Sequence, residues 1–205
     1  LVERGVETAR ELGCSAVSLG QYTSIVTRNG TSFRPHGIGL TAGNSYTAAL
    51  ATQAVLSLHQ RRGIDPARSV LAVAGAAGNI GRACAEILAP FYQRTILLSS
   101  GAPGSALRLG ELAGRIARSE IAHDAGGLRA ADAVVCAVSA PQPPFGPEHF
   151  GENCLICDLS MPPALRPGTA AARPDLCVIG GGIARLPFGE ALDVTAFPLP
   201  AGRVY

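Results

Sequence analysis

The chain has 205 residues, of which 47% are hydrophobic, 16% charged and 5% aromatic, and its formal net charge is +2. This length and apolar content support one large domain with a real core and exclude disorder. The balanced charge and few aromatic residues exclude nucleic acid as a partner, and no apolar run approaches the roughly 18 residues of an integral membrane segment.

The first part of the chain has weak secondary-structure signals. Residues 3–13 predict a helix and residues 15–20 a short strand, whereas residues 20–43 are rich in Gly, Ser and Thr and predict loops and short extended pieces. We assign residues 1–44 to a partial N-terminal lobe on the substrate side and residues 45–205 to a nucleotide-binding domain. The sequence opens without Met and stops without a closing helix, so we expect both ends to be cuts within a longer protein.

From Asn44 onward, helical segments alternate with continuous apolar runs. Asn44 or Ser45 is a good helix cap and Gly63 a plausible stop. The apolar runs that follow are "SVLAVA", "TILLSS", "EIAHD", "ADAVVCAVSA", "CLICDL" and "LCVIGGG". Continuous runs are typical of parallel strands covered on both faces. The sequence therefore predicts an α/β fold with a doubly wound, mainly parallel Rossmann-type sheet and a small N-terminal lobe.

The segment "GAAGNIG", residues 75–81, lies between a predicted buried strand and an amphipathic helix, whose apolar face we expect to be formed by Ile80, Ala83, Cys84, Ile87 and Leu88. In a dinucleotide fold Gly75 would make the tight turn, Gly78 would let backbone approach a pyrophosphate, and Gly81 would let the helix pack closely. The alternative is a turn that only joins strand and helix. We favour a phosphate cradle formed by Gly75, Ala76, Gly78, Asn79, Ile80 and Gly81.

The next strand bears on the choice of coenzyme. An NAD site usually has Asp or Glu about 20 residues after the glycines, at the end of that strand. Here the strand ends in Ser99 and Ser100 without an acid. The two hydroxyls can donate to a 2′-phosphate, and Arg108 is either its counter-charge or a solvated helix residue. We expect NADP, with NAD as the alternative.

The basic residues and cysteines restrict the chemistry. All seventeen basic residues are Arg, which excludes a Lys Schiff base, a P-loop lysine and the Tyr-x-x-x-Lys pair of short-chain dehydrogenases within this chain. The six Cys lie mostly in apolar runs, as buried reduced thiols do in cytosolic proteins, so we expect a cytoplasmic location. Cys154 and Cys157 have the C-x-x-C spacing, but on a strand they face opposite sides, which favours small buried hydrophobes and no metal site.

Two later segments of the chain, residues 131–141 and 154–165, resemble the NADP domains of the glutamyl-tRNA reductase and shikimate dehydrogenase superfamily. The segments concerned are "ADAVVCAVSAP" and "CLICDLSMPPAL". In that superfamily the first strand ends in a small polar turn beside the dinucleotide, and the second ends in an Asp followed by a Pro, here Asp158 and Pro162. The resemblance adds four residues to the coenzyme site, Val138, Ser139, Ala140 and Gly181.

The chain resembles the long-chain acyl-[acyl-carrier-protein] reductases over nearly its whole length. "LGQYTSIVT" (19–27), "LTAGNSYTAAL" (40–50), "GAAGNIG", "CLICD" and "GGGIA" fall in the same order and spacing. The resemblance implies NADPH-dependent reduction of a fatty acyl thioester, carried by acyl carrier protein or CoA, to an aldehyde through a cysteine nucleophile. That nucleophile would fall just after Tyr205, no cysteine present matches it by position, and the strand-end Arg expected near Ser100 is replaced.

Three residues ahead of the glycine loop are candidates for catalysis. "QYTS" places Tyr22 and Ser24 on a turn after a strand, where they can orient a carbonyl, and Asn44 begins a helix that faces the nicotinamide cleft in the shikimate dehydrogenase relatives. The alternatives are that Tyr22 packs and that Asn44 caps its helix. Two other function classes stay open: a shikimate/quinate dehydrogenase-type enzyme, lacking the Lys that those enzymes use, and a non-catalytic dinucleotide-binding module.

Overall fold

The computed structural model describes residues 1–20, 22–34, 37–99, 101, 104–182, 184–185 and 203–204. The chain divides into two compact units, Leu1–Tyr46 and Thr47–Tyr205. Within the described residues, every helix falls short of the length or apolarity that crossing a bilayer requires. The two units are taken in turn.

The first unit is built from two helices and two short strands, α1 (Val2–Glu11), β1 (Ala16–Ser18), α2 (Tyr22–Val26) and β2 (Gly39–Thr41). The strands β1 and β2 pair in parallel. Val6, Leu19 and Ile38 are buried together and form the small core of this unit. The predicted helix and the predicted short strand are both present.

The helix α2 differs from the prediction of loops and extended pieces for residues 20–43. Its Ser, Thr and β-branched residues are poor helix formers, so propensity gives no helical signal here. Side-chain hydroxyls bond to the backbone instead: Thr23 Oγ1 donates to the Gly20 carbonyl at 2.6 Å, and Thr27 Oγ1 donates to the Thr23 carbonyl at 2.5 Å. Helix propensity alone therefore does not predict α2, in which these local side-chain-to-backbone hydrogen bonds occur.

The second unit contains a six-stranded sheet. Its strands are β3 (Val70–Ala74), β4 (Arg94–Leu98), β5 (Ser119–Ala122), β6 (Ala133–Cys136), β7 (Leu155–Asp158) and β8 (Cys177–Gly180). Their order is β5-β4-β3-β6-β7-β8, and every neighbouring pair is parallel. This order, which reverses between β3 and β6, is that of a doubly wound α/β sheet. The predicted fold class is confirmed.

α-Helices and a small ribbon accompany the sheet, together with short 3-10 turns. The helices are α3 (Asn44–Arg62), which crosses the boundary between the units, α4 (Asn79–Leu88), α5 (Ser105–Ala113) and α6 (Thr169–Ala172). Two strands of two residues, β9 (Ala184–Arg185) and β10 (Arg203–Val204), pair antiparallel. The helix α3 stops as predicted: Gly63 has φ +64°, and the Ile64 N–H donates to the His59 carbonyl at 3.0 Å.

The two faces of the sheet are covered differently. The helices α3, α4 and α5 bury their apolar sides with the side chains of Leu71 and Val73. The alternate strand residues share a second cluster with side chains from 3-10 turns and loops, including Leu128, Phe145 and Phe150. Burial on both faces explains the continuous apolar runs of the strands. Among the described residues, irregular chain rather than a second full layer of helices covers the second face.

The buried side of α4 is rotated from the predicted one. Cys84 and Leu88 are fully buried as expected, but the buried set is completed by Gly81 and Ala85, whereas Ile87 is 44% exposed. The reason is that Gly81 lies directly on the loop before the helix, as described below. That contact fixes which side of α4 faces the sheet, and the position of Ile87 in the predicted apolar face is wrong.

Arg173 joins its own segment of the second unit to the segment 147–151. Its guanidinium donates to both carboxylate oxygens of Asp175 at 2.7 Å and to backbone carbonyls in the segment 147–151 at 2.9–3.3 Å. Asp175 also accepts from the backbone N–H of Asn153 at 3.0 Å. The hydrogen bonds from Arg173, and after them the one from Asn153, hold the pKa of the Asp175 carboxyl well below its usual range.

We expect the Asp175 carboxylate to make the stability of the fold sensitive to acid. Because its pKa is lowered in the folded state, the unfolded chain takes up the proton first once the pH falls below about 4, and stability present above that pH is lost. Urea unfolding measured between neutral and acidic pH should therefore show a shallower loss of stability in Asp175→Asn than in the wild type. Removal of the exposed carboxylate in Glu111→Gln is the control. Parallel curves for the wild type and Asp175→Asn would contradict the assignment.

Candidate functional site

The glycine loop after β3 is attached to the strands on both sides. The backbone N–H groups of Gly75 and Ala76 both donate to the Leu98 carbonyl, at 2.8 and 3.1 Å. Gly75 has φ +84°, and a Cβ atom there would lie 2.2 Å from the Ala137 carbonyl oxygen. Because neither that conformation nor that contact tolerates a side chain, Gly75 is required by the fold itself.

The other two glycines of the loop differ from each other. A Cβ on Gly81 would lie 2.3 Å from the Gly75 carbonyl oxygen, so the first turn of α4 packs directly on the loop. Gly78 is exposed, has φ −86° and ψ 166°, and an added Cβ would meet only the Gly75 oxygen, at 3.3 Å. Packing therefore demands two of the three glycines, while the third leaves bare backbone at the surface.

The start of α4 has the donors that an anion needs. Gly78 is the N-cap, and within the described residues the backbone N–H groups of Asn79 and Ile80 have no hydrogen-bond partner. Such first-turn N–H groups carry the positive end of the helix dipole. Asn79 is exposed, Ile80 is half-buried, and Ala76 is fully buried. Bare backbone together with free donors fits the phosphates of a dinucleotide.

The turn after β6 borders the same loop. Val138 is buried, and its backbone N–H donates to Ser160 Oγ at 3.1 Å, whereas Ser139 is exposed and Ala140 half-buried. Ser160 is held in turn, because its own N–H donates to Asp158 Oδ1 at 3.0 Å. Sequence reasoning missed Ser160. The Asp-x-Ser spacing after a strand is the signal for it, since it is typical of an Asx turn.

The end of β4 contributes one described hydroxyl and one neighbouring cation. Ser99 is half-buried and its Oγ accepts from the Gly101 N–H at 3.2 Å, while Ser100 lies outside the described residues. Arg108 of α5 reaches the glycine loop, where its Nε donates to the Ala77 carbonyl at 3.2 Å. Arg108 therefore contacts the glycine loop. Whether it is a counter-charge for a 2′-phosphate or a solvated helix residue stays open.

Gly181 follows β8 and lies beside the end of β7. Its N–H donates to the Asp158 carbonyl at 2.8 Å, and an added Cβ would lie 2.1 Å from Leu159 Cδ2 and 2.9 Å from Cys157 Sγ. Packing alone explains a glycine at this position. Coenzyme contact at Gly181 stays a prediction.

The described coenzyme candidates gather at one edge of the sheet. The glycine loop, Ser99 and the turn at Val138 follow β3, β4 and β6, and the carboxyl ends of these parallel strands flank the point at which strand order reverses. That point is where doubly wound sheets form their ligand crevice. Their role in coenzyme binding stays a prediction.

The catalytic candidates belong to the first unit. Tyr22 is the first residue of α2, and the carbonyl of Ser24 accepts from the Asn29 N–H at 2.7 Å. Asn44 begins α3, and its Nδ2 donates to Asn29 Oδ1 at 3.2 Å. The side chain of Asn44 thus joins the start of α3 to the turn that follows α2, and the catalytic roles of Tyr22, Ser24 and Asn44 stay predictions.

The cysteines of the sheet are packing groups. Cys154 and Cys157 are fully buried in the two different core clusters, so they face opposite sides of the sheet as their spacing predicts. Burial raises the pKa of the Cys84 thiol to about 11 and those of Cys154 and Cys157 to about 12. These groups are therefore neutral thiols at pH 7, which makes them poor nucleophiles.

The chain was compared with known protein families, sequences and structures. No protein-family model matches the chain. The chain is 25% identical over 202 residues to Aminotransferase PigE of a Serratia strain, a match covering 95% of this chain but only 24% of that protein. It therefore spans about a quarter of that relative's length.

Among solved structures, glutamyl-tRNA reductase from Methanopyrus kandleri matches with a TM-score of 0.51 and 20% identity, over 62% of this chain and 34% of that one. A dipicolinate synthase from Bacillus halodurans matches at 0.52 and 16%, over 80% and 57%. D-mandelate dehydrogenase from Rhodotorula graminis matches at 0.51 and 14%, over 79% and 56%. These likenesses show that the chain has a Rossmann-type α/β fold.

We expect the burial of the thiols to govern their reactivity. Cys14 is exposed, whereas Cys84, Cys136, Cys154 and Cys157 are buried, and only a thiolate reacts rapidly with alkylating agents. Iodoacetamide treatment of the folded chain, followed by peptide mass spectrometry, should modify Cys14 first and the four buried residues only after denaturation. Rapid modification of Cys157 in the folded chain would contradict this arrangement.

Proposed function

We propose that the chain is the coenzyme-binding part of an NADPH-dependent oxidoreductase that reduces a fatty acyl thioester, carried by acyl carrier protein or CoA, to an aldehyde. The observation that carries the proposal is the difference between the glycines. Packing accounts for Gly75 and Gly81, but not for Gly78. A bare, exposed residue beside two N–H groups that have no partner in the described part of the chain suits the close approach of a pyrophosphate.

In this proposal, different described residues bind different parts of the coenzyme. Gly78 and the N–H groups of Asn79 and Ile80 would bind the pyrophosphate, and the turn at Ser139 and Ala140 would lie beside the dinucleotide, as in the superfamily that this turn resembles. NADPH would supply a hydride to the thioester carbonyl. Tyr22, Ser24 and Asn44 are proposed to orient that carbonyl.

The substrate class rests on the motif resemblance. Residues 19–27 and 40–50 carry the part specific to the acyl-[acyl-carrier-protein] reductases, and that family transfers the acyl group to a cysteine before reduction. None of the six cysteines matches the family's nucleophile by position, and four of them are buried. Acyl transfer to a thiol would therefore need a cysteine other than these six.

Two other activities are disfavoured by composition. A pyridoxal-phosphate aminotransferase holds its cofactor on a Lys Schiff base, and shikimate dehydrogenase-type enzymes use a catalytic Lys, but this chain has no Lys. Transamination is therefore not proposed for this chain, despite the name of the Serratia relative. A non-catalytic dinucleotide-binding module is the remaining alternative, because a fold alone does not imply chemistry.

The coenzyme site is tested at Gly78. We expect Gly78→Val to abolish NADPH binding in calorimetric titrations, because a branched side chain would occupy the space that the pyrophosphate needs. The chain should stay folded with a loss of roughly 1–2 kcal/mol in the free energy of unfolding, because the position is exposed but Val is a poor N-cap and its Cβ would lie 3.3 Å from the Gly75 carbonyl oxygen.

The control for this variant is Gly110→Ala. Gly110 lies inside α5 with open space around an added Cβ, so Ala should stabilise the chain by roughly 0.5–1 kcal/mol and leave NADPH affinity unchanged. Wild-type affinity in a folded Gly78→Val variant would refute the phosphate assignment.

The substrate is tested by product formation. We expect the 205-residue chain to bind NADPH but to produce no aldehyde from a long-chain acyl-CoA or acyl carrier protein thioester, because no cysteine at the family's position is present. Aldehyde would be detected by gas chromatography. Aldehyde production by the 205-residue chain would contradict the assigned role of the thiols.

A further inference from the structure

The turn after β6 is held by a side chain from the loop after β7. The hydrogen bonds between β3 and β6 end at Ala137, whose N–H donates to the Ala74 carbonyl at 2.9 Å. The next N–H along the chain, that of Val138, donates instead to Ser160 Oγ at 3.1 Å. Val138 and Ser160 are each only 9% exposed, so this hydrogen bond is shielded from water.

Ser160 is itself fixed by Asp158, the last residue of β7. The Asp158 carboxylate accepts the N–H of Ser160 at Oδ1, over 3.0 Å, and the N–H of Ala164 at Oδ2, over 2.8 Å. Ala164 is fully buried, and its carbonyl accepts the Phe145 N–H at 3.0 Å. Both ends of the segment 160–164 are therefore attached, which gives the Ser160 hydroxyl a defined position.

The hydrogen bond to Ser160 determines where the turn after β6 lies. A backbone N–H can only donate, so Ser160 Oγ is the acceptor, and without it Val138 would keep a buried donor at the cost of a lost hydrogen bond. The Val138 nitrogen also lies 3.2 Å from where a Cβ on Gly75 would stand, so Val138 packs on the glycine loop. The chain then continues to Ser139, which is exposed, and Ala140, which is half-buried. The position of Val138 therefore sets the position of both.

From this geometry we infer that Ser160 is a positioning residue for the nicotinamide nucleotide half of the coenzyme, an inference that rests on the proposed dinucleotide function. A doubly wound sheet is built from two mononucleotide-binding halves that meet where strand order reverses. The glycine loop belongs to the half formed by β3, β4 and β5, and the turn after β6 opens the other half. The hydrogen bond from Val138 to Ser160 thus fixes the surface that the nicotinamide nucleotide contacts. Ser160 acts through this turn and does not itself touch the coenzyme.

The test compares NADPH with 2′-phospho-ADP-ribose, which lacks only the nicotinamide ring, in isothermal titrations of the 205-residue chain. The wild type should bind NADPH more tightly. Ser160→Ala should weaken NADPH binding by about fivefold, the equivalent of one hydrogen bond, and leave affinity for the ligand without the ring within about twofold of wild type. The fluorescence of bound NADPH, which reports on the surroundings of the ring, should shift towards that of the free coenzyme.

Two further comparisons separate the hydroxyl from side-chain shape and from stability. Thr and Val have the same shape, so any effect of the added carbons is common to Ser160→Thr and Ser160→Val. Only Thr keeps the acceptor, and Ser160→Thr should bind NADPH more tightly than Ser160→Val. Ser69→Ala is the matched control, because Ser69 is also buried, its Oγ donates to the Asp65 carbonyl at 2.9 Å, and it precedes β3 at the opposite edge of the sheet. It should leave both affinities unchanged.

Failure of the inference and failure of the proposed function give different results. Equal weakening of both ligands in Ser160→Ala would mean that Ser160 supports the whole crevice. Unchanged affinities in Ser160→Ala, or equal NADPH affinities of the Thr and Val variants, would mean that the hydroxyl does not position the turn. Each of these results, like equal binding of both ligands by the wild type, overturns the inference and leaves nucleotide binding intact. A wild-type chain that binds neither ligand overturns the proposed function, and the inference with it.

Discussion

Backbone packs against backbone at Gly75, and the architecture of the second unit depends on that contact. The end of β3, the first turn of α4 and the end of β6 meet there, with the carbonyl of Ala137 on one side of Gly75 and the backbone of Gly81 on the other. Such close approach fixes the direction in which α4 leaves the sheet. It also sets which side of the helix is buried and draws the strand ends together where strand order reverses.

Much of this arrangement can be predicted from the sequence, because its causes are local or periodic. Continuous apolar runs reveal parallel strands, and Gly63 and the glycine loop mark turns that few other residues can make. The rest depends on contacts that pattern does not encode. The exposure of Ile87 follows from the packing of Gly81, α2 is accompanied by hydroxyl-to-backbone bonds, and the loop-covered face is joined by Arg173 to carbonyls more than 20 residues away. In the candidate site, the glycines were identifiable and Ser160 carried an Asp-x-Ser signal that was missed, whereas the contact made by Arg108 emerges only from the folded arrangement.

Arginine has a second role in this chain besides charge. Arg62, Arg108 and Arg173 each donate to a backbone carbonyl distant in sequence, and so they satisfy loop acceptors that no strand partner reaches. A guanidinium has five donors in a fixed plane and can serve several carbonyls at once, as Arg173 does. A chain whose second sheet face is closed by loops and 3-10 turns has many such acceptors, which gives a physical reason for arginine at these positions.

The unequal constraints on the three loop glycines bear on how such a scaffold would drift over evolutionary time. In a descendant that no longer used a nucleotide, selection for folding alone would keep Gly75 and Gly81, because any side chain there collides with main-chain atoms. Gly78 would be released to vary. A lineage that retains all three glycines and one that retains only the outer pair would therefore share a fold. Of the three positions, only the middle one would show whether nucleotide binding had been kept.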